Sequence, residues 1–494
     1  MINWSFAQPV VLSYEDAINI ALKKSYTIQT YDNSRLMTSF WYDYYKAMFK
    51  PRLDFNLFTP SWNESVQTIY RADGLPVYNS MGSLQAGGNL RFTYVLPSGG
   101  DLSLSARSYY DGQQTILTLD DDKKLNNKLF YNRFALSFSQ PVFTKNTLKE
   151  NLSKAELEFQ KSTNQYTRGQ MDIIYEVTKG FYALYRATRL VEIAEERLKN
   201  SKETFRVAKL KSDAGRIPEG DLLTAEVEVA QDLAGLSAAK GGLERGKDIF
   251  KQLIGIGLDE NISIRTELKK EVVLIDLDIA LREALKNRLE LQEAKLDVSL
   301  QKIEIDRAKR TRELKGSISG FYDFTGISTT NSGNLHNLFN SSIENLGERP
   351  PNRGVMFTIS YPISDWGRGK ARVQQAIIGL EDRKLKLENM ENTIIKEVRD
   401  IVRTAEESQN RLQIHEKNQG LAQRSYKIYT IRYENGDISS QDLAIERERL
   451  SSIQLNYLDA YIEYKLALAD LKRKTMWDFK NNISYRVDWK PEEK

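Results

Sequence analysis

The sequence predicts an α+β fold in which an internally duplicated chain combines very long helices with a few β-strands. Two stretches of more than 120 residues contain no proline, one between Pro218 and Pro350 and one between Pro362 and Pro491. Such stretches permit uninterrupted helices. In addition, residue patterns recur at constant offsets, and four short segments alternate between apolar and small or polar side chains, as strands do.

The duplication is visible in two offsets. A shift of 221 residues carries Pro141 onto Pro362, and a shift of 263 residues carries Ala17 onto Ala280. The first half is therefore 42 residues longer than the second, and the additional residues lie in its middle. A chain that matches itself at both ends of each half is typical of a duplicated domain.

Each half predicts the same order of elements. A helix of about 40 residues comes first (Ser13–Lys50 and Asp276–Glu313), followed by a strand, a polar loop, a second strand and two long helices separated by a turn. The first of these long helices is predicted over Lys145–Ser212, and its counterpart over Gly367–Tyr433. At 1.5 Å per residue, each is roughly 100 Å long.

The offsets divide the chain into five segments. They are an N-terminal extension (1–11), a first structural repeat (12–254), a segment between the repeats (255–275), a second structural repeat (276–476) and a C-terminal tail (477–494).

The four predicted strands lie near Leu53–Leu57, Phe134–Ser139, Ser317–Phe324 and Val355–Tyr361. On alternation alone, half of a soluble sandwich is the better interpretation. The context favours another, because long helices flank both pairs of strands and no second sheet is predicted to cover the apolar faces. Lipid covers such faces when several chains close a barrel.

The 42 additional residues predict a further hairpin near 82–107, with Pro97–Gly100 as its turn. Since the second half has no equivalent, the hairpin is expected to be a loop feature outside the shared scaffold.

The composition argues against several classes of function. The 71 basic and 67 acidic side chains are interspersed and give a net charge of only +4, so nothing indicates a nucleic-acid partner. Without cysteine, disulfides and thiolate sites are excluded. His336 and His415 are far apart and typical of solvated histidines, and Gly255-Ile256-Gly257 has Glu260 where a dinucleotide motif needs its third glycine. Neither an enzyme nor a cofactor is predicted.

No apolar run approaches the roughly 18 residues of a membrane-spanning helix. Residues 1–8 have neither a basic n-region nor an apolar h-region, so no signal peptide is predicted from them, although Ser5–Gln8 would suit the tail of a removed signal.

Aromatic residues concentrate near the predicted strands. Trp41, Tyr44 and Tyr45 crowd the end of the first helix, while Phe143 and Trp366 follow the strands that lead into the long helices. In a barrel protein they would anchor the interface between lipid head groups and water. Ordinary helix core is an equally good interpretation.

The strongest local signal is a pair of equivalent turns, Asp213–Leu223 and Glu434–Leu443. Gly215 and Gly436 are predicted to cap the preceding helices in the left-handed conformation. In the second turn, Ser439 or Ser440 is the candidate N-cap of the next helix. Each turn is therefore predicted to be the tip of a helical hairpin.

Asp221 and Asp442 follow these two glycines at the same spacing. The simpler interpretation, which the sequence alone favours, is that each stabilises a helix N-terminus through the helix dipole. The alternative is a ring of carboxylates across an axial pore, formed when subunit symmetry multiplies them.

These residues together resemble the TolC-like outer membrane efflux family, from about Leu12 to Trp477. The resemblance rests on the duplicated layout, on the strand-to-helix segment Phe357–Gly369 and on the two Gly-x-x-x-x-x-Asp-Leu tips. It implies a homotrimer in which each chain contributes four transmembrane strands to one twelve-stranded β-barrel, continued by a long α-helical, coiled-coil barrel. Segments 255–275 and 477–494 would then lie in an equatorial belt.

The resemblance also implies a function and a location. The trimer would sit in the outer membrane lipid of a Gram-negative-type bacterium, with its helices in the periplasm. It would be the passive exit duct of a tripartite efflux system, joined by a periplasmic adaptor (membrane fusion) protein to an inner membrane pump. No cofactor is implied.

Site residues carry over from the family as expectations. Ala214, Gly215 and Arg216 in the first tip, and Asn435, Gly436 and Asp437 in the second, would contact the adaptor. Asp442 would point into the closed entrance, and Tyr433 would bond to Asp221. Two departures are Ile445 and Ile438, which stand where the family has a second ring aspartate and a linking arginine.

Two alternatives stay open. One is a type I secretion or metal-ion export duct of the same family. The other is a soluble coiled-coil scaffold whose strands form a small head domain.

Overall fold

The computed structural model describes residues 10–117, 123–265, 273–330 and 334–484. Most of the predicted N-terminal extension, the middle of segment 255–275 and the end of the predicted tail lie outside the described residues. In chain order the elements are β1 (Val10–Leu12), α1 (Tyr14–Lys24), α2 (Tyr26–Ala47), β2 (Arg52–Tyr70), β3 (Pro76–Val95), β4 (Asp101–Leu117), β5 (Lys123–Val142), α3 (Thr147–Asp213), α4 (Glu219–Ile254), β6 (Ile262–Ile264), α5 (Leu277–Asn287), α6 (Leu289–Arg310), β7 (Lys315–Thr330), α7 (Leu335–Glu344), β8 (Asn352–Ser360), α8 (Arg368–Asn435), α9 (Ser440–Thr475), β9 (Trp477–Asp478) and β10 (Ile483–Ser484).

The chain divides into two compact units. The helical unit comprises Met1–Met37, Phe159–Val298 and Asp382–Lys494, and the sheet unit comprises Thr38–Glu158 and Ser299–Glu381. In the part of the chain that the structure describes, every helix is too short or too polar to cross a membrane.

The long helices confirm the sequence prediction. α3 has 67 residues and α8 has 68, and both are unbroken. The predicted first helix of each repeat, in contrast, is two helices. Ser25 is extended (φ −63°, ψ 138°) and its Oγ accepts the Ile28 N–H at 3.3 Å, so it ends α1 and caps α2. Arg288, 263 residues later, makes the same break (φ −59°, ψ 122°).

The core of the helical unit is duplicated as well. One cluster contains Ala17, Ala21, Ile173, Val177 and Phe250. A second cluster contains their equivalents at the two offsets, which are Ala280, Ala284, Ile394, Val398 and Leu471. All ten side chains are buried. Each repeat therefore packs its own first helix against its own long hairpin, as expected of a duplicated domain.

The sheet differs from the prediction in its number of strands. Among the described residues it has six, in the order β2-β3-β4-β5-β7-β8, and every neighbouring pair is antiparallel. Four strands were expected, with the hairpin near 82–107 outside them. Instead, β3 and β4 are strands of 20 and 17 residues that lie between β2 and β5. The alternation of the added segment thus reflects full sheet strands and not a loop hairpin.

Candidate functional site: the two hairpin tips

Hairpin 1 consists of α3 and α4, and hairpin 2 consists of α8 and α9. At the first tip, Gly215 adopts φ +65°, and the Arg216 N–H donates to the Lys211 carbonyl at 2.8 Å. At the second tip, Gly436 adopts φ +89°, and the Asp437 N–H donates to the Arg432 carbonyl at 2.9 Å. This is the bond pattern by which a left-handed glycine ends a helix. The predicted glycine caps are therefore confirmed.

The two return helices begin differently. Ser439 is the N-cap of α9: its Oγ accepts the Asp442 N–H at 3.1 Å, and its own N–H donates to the Asp442 carboxylate at 3.1 Å. This reciprocal pair is a capping box. The N-cap position of α4 is Pro218, whose side chain makes no capping hydrogen bond. Of the two serines that the sequence proposed, Ser439 is the cap, while Ser440 is buried.

Asp442 is exposed and negatively charged near neutral pH. The Ser439 hydroxyl, 2.8 Å away, and the Ser439 N–H hold the pKa of its carboxyl below the usual range. Asp442 thus stabilises the start of α9 through its hydrogen bonds with Ser439, whereas the simpler interpretation of the sequence expected an effect through the helix dipole. The carboxylate still faces solvent.

Tyr433 lies buried beside the first hairpin. Its hydroxyl donates to the Thr204 carbonyl at 3.5 Å, and its own carbonyl accepts from Lys211 Nζ at 2.8 Å. The same Nζ lies 4.5 Å from the centre of the tyrosine ring. Burial, followed by the charge of Asp221, raises the pKa of Tyr433. In the described residues of this single chain, no hydrogen bond joins Tyr433 to Asp221.

The six residues expected to meet an adaptor are all exposed. They are Ala214, Gly215 and Arg216 at the first tip, and Asn435, Gly436 and Asp437 at the second. No Cβ placed on either glycine would meet another heavy atom within 4 Å. Both tips are thus open surfaces.

The aromatic residues selected from the sequence lie in the sheet unit. Trp41, Tyr44 and Tyr45 pack on one another, with ring centres 5.4 to 6.2 Å apart. Phe143 (φ +64°) directly follows β5 and Trp366 (φ +54°) lies just before α8; both adopt the left-handed conformation, and Trp366 is 98% exposed. The exposure of Trp366 is unlike that of a residue in a helix core.

One contact near the tips was missed by sequence reasoning. The Arg447 side chain of α9, 7% exposed, donates to Glu228 of α4 at 2.8 Å. Hairpins 1 and 2 are thereby joined through an ion pair between a buried arginine and a partly buried glutamate. The sequence does carry a signal for this contact. The 221-residue offset relates Glu228 to Arg449 and Glu226 to Arg447, so each pair of equivalent positions carries opposite charges.

Several solved structures of outer membrane proteins have this fold. The Campylobacter jejuni CmeC outer membrane channel is 15% identical, with a TM-score of 0.68, over 96% of this chain and 87% of that chain. The outer membrane protein VceC from Vibrio cholerae is 15% identical, with a TM-score of 0.65, over 94% and 95%. The open-state Neisseria gonorrhoeae MtrE outer membrane channel is also 15% identical, with a TM-score of 0.65, over 94% and 89%. The fold is that of an outer membrane channel.

The family follows from the sequence. The family model described as outer membrane efflux protein matches residues 101–254 and 280–475, one stretch in each repeat. The chain belongs to this outer membrane efflux protein family, whose members are channels and not enzymes. No curated protein matches the sequence.

Proposed function

We propose that three copies of the chain form a channel-tunnel that is the passive exit duct of a tripartite efflux system. An inner membrane pump supplies the energy, and a periplasmic adaptor protein joins the pump to the duct. The observation that carries the proposal is that both hairpins end in equivalent exposed glycine turns, in a chain of the outer membrane efflux family.

The tips suit an adaptor because their backbone is accessible. Glycine at Gly215 and Gly436 leaves no side chain over the turn, so a helical partner can approach the main chain closely. Arg216 and Asp437 flank these glycines at equivalent positions and carry opposite charges. Two alternating, differently charged tips would let an adaptor distinguish one hairpin from the other.

The entrance is proposed to be lined by Asp442. In a trimer, three exposed carboxylates would face a common axis, and clustered like charges favour cations in a narrow pore. Tyr433 and Asp221 are proposed to contribute to the closed state, with Lys211 fixing Tyr433 from the side of hairpin 1. No pocket for a bound cofactor is part of this proposal.

Planar bilayer recording of the purified trimer tests the proposal. The wild-type protein should insert and conduct, with a preference for cations. Asp442→Asn should lower the cation-to-anion permeability ratio by about twofold, because three charges leave the constriction. Asp382→Asn, which removes an exposed carboxylate far along α8 from the tip, is the matched control and should leave the ratio unchanged.

Two results would contradict the proposal. A chain that stays soluble without detergent and never conducts is a scaffold and not a duct. A conducting trimer whose selectivity is the same in Asp442→Asn and wild type has its constriction elsewhere.

A further inference from the structure

The inserted hairpin, defined as β3 and β4, pairs along its whole length with the strands on either side. β2 and β3 are paired from Arg52 opposite Thr93 to Tyr70 opposite Pro76, with one irregularity between Phe58 and Ser61. β4 and β5 are paired from Asp101 opposite Ser139 to Leu117 opposite Lys123. The hairpin is therefore as long as the strands that flank it.

The hairpin also continues the apolar face of the sheet. One row of directly opposed residues crosses five strands, and each of its side chains is exposed: Leu53, Phe92, Leu104, Leu136 and Tyr322. Two of the five belong to the hairpin. A loop outside the membrane has no reason to carry large apolar residues in line with those of its neighbours.

The opposite face is polar in the same register. The next row consists of Asp54, Arg91, Ser105, Ala135 and Asp323. Farther along this face, the Asp111 carboxylate of β4 accepts hydrogen bonds from Ser83 and Gln85 of β3 at 2.7 and 3.2 Å. The hairpin thus has an apolar side and a hydrogen-bonded polar side, as transmembrane barrel strands do.

Exposed apolar side chains cover the half of the sheet next to the turn that joins β3 and β4, and in the far half they continue on β2 and β3 with Trp62, Val66 and Leu84. The far half carries amides such as Gln113, Gln114, Asn126 and Asn127. A transmembrane strand needs about 9 to 11 tilted residues. The apolar half of strands 16 to 20 residues long matches that requirement.

The place of β2 in the sheet indicates whether the inserted hairpin lies inside or outside the membrane. Among the described residues, β2 lies at the edge of the sheet, where it is hydrogen-bonded to β3 and not to β5. If the hairpin left the membrane in this arrangement, β2 would lose its pairing with β3 and expose the backbone groups of that edge to lipid, which costs several kcal/mol per group. The hairpin must therefore lie at the same membrane depth as β2 and β5.

We propose that each chain contributes six strands, so that the trimer closes a barrel of eighteen strands. This inference rests on the proposed trimer. Because six is even and every pair is antiparallel, edge strands β2 and β8 run in opposite directions and can pair between neighbouring copies. With strands about 4.8 Å apart and tilted by about 40°, the barrel is about 36 Å across, against about 24 Å for twelve strands.

Single-cysteine labelling tests the six-strand barrel. Because the sequence has no cysteine, only the introduced residue can react. Leu104→Cys and Ser105→Cys are neighbours on β4, on the apolar and polar faces. Trimers in liposomes are treated with a membrane-impermeant maleimide. Ser105→Cys should react at least about tenfold faster than Leu104→Cys, because lipid covers one face and water the other. Leu136→Cys and Ser137→Cys on β5 are the matched control pair.

Each outcome bears on a definite claim. A large ratio for both pairs supports eighteen strands. A large ratio on β5 with equal labelling on β4 overturns the six-strand barrel and leaves the proposed channel intact. Equal labelling in both pairs, or a chain that forms no trimer, overturns both. An image reconstruction of the trimer, with eighteen or twelve strands in the barrel wall, gives the same decision independently of the substitutions.

Discussion

The two helical hairpins have the same backbone but hold it with different residues. Both long helices end at a left-handed glycine, Gly215 or Gly436. The return helices then start from a proline in hairpin 1 and from a serine capping box in hairpin 2. They also end in the same left-handed conformation, at Gly255 (φ +77°) and at its equivalent Met476 (φ +52°). Duplication has preserved the dihedral angles more strictly than the chemistry that fixes them.

The end of hairpin 1 gives the largest predicted effect. A Cβ on Gly255 would lie 2.3 Å from the Lys24 carbonyl oxygen, and φ is positive there. We expect Gly255→Ala to lower the free energy of unfolding by roughly 2 to 5 kcal/mol, from left-handed strain plus the backbone clash. Thermal unfolding of the helices, followed by circular dichroism, measures it.

Gly215→Ala is the control for that experiment. Gly215 also has a positive φ, but nothing lies within 4 Å of its Cβ position. The free energy of unfolding of this variant should therefore fall by only about 1 kcal/mol, which is the cost of placing alanine in the left-handed conformation. Equal losses in the two variants would show that the close approach of Gly255 to Lys24 does not matter.

The ion pair between the hairpins gives the next prediction. Glu228 and Arg447 join hairpin 1 to hairpin 2 within a chain, while their equivalents Arg449 and Glu226 are exposed. In a trimer in which the two hairpins alternate around the ring, the equivalent contact joins hairpin 2 to hairpin 1 of the next chain. The residues available for that contact, Arg449 and Glu226, again have opposite charges.

A charge swap tests this contact between subunits. Arg449→Glu and Glu226→Arg should each weaken the trimer by about 1 kcal/mol per interface, through repulsion of like charges. The double variant should restore wild-type stability, since the pair is then merely reversed. Trimer dissociation on heating, read by native electrophoresis, is the measurement. A double variant that is weaker than both single variants would mean that these side chains do not meet.

Much of this architecture could be predicted because its signals are local. A glycine at a helix end, a period of two in a strand and a constant offset need only a few neighbouring residues, and they predicted the long helices, the tips and the duplication. The break at Ser25 was also within reach, because serine is a strong N-cap. What could not be predicted depends on distant partners.

The sheet and Tyr433 illustrate that limit. Alternation in 76–117 predicts strands, but only pairing with β2 and β5 shows that they belong to the sheet. Likewise, nothing beside Tyr433 in the sequence points to Thr204 or Lys211, which are more than 200 residues away.

The helix starts give the smallest effects. Ser439→Ala removes the cap from the Asp442 N–H and should cost about 1 kcal/mol at the start of α9. Pro218→Ser would build in hairpin 1 the box that hairpin 2 already has, with Asp221 in the place of Asp442. Its net gain should be only a few tenths of a kcal/mol, because removing proline frees the unfolded chain.

Amide hydrogen exchange measures the local stability of the first turns of α4 and α9 separately. Its dependence on pH shows whether an aspartate takes part in the cap. The pKa of Asp442 is lowered in the folded chain. Its stabilisation is therefore complete above the unfolded value of about 3.9 and is lost as pH falls through the folded value. Ser439→Ala should remove this acid dependence from the start of α9, and Pro218→Ser should introduce it at the start of α4. If α4 gained protection that did not change with pH, the new serine would be capping the helix without Asp221, and the difference between the tips would not be the capping box.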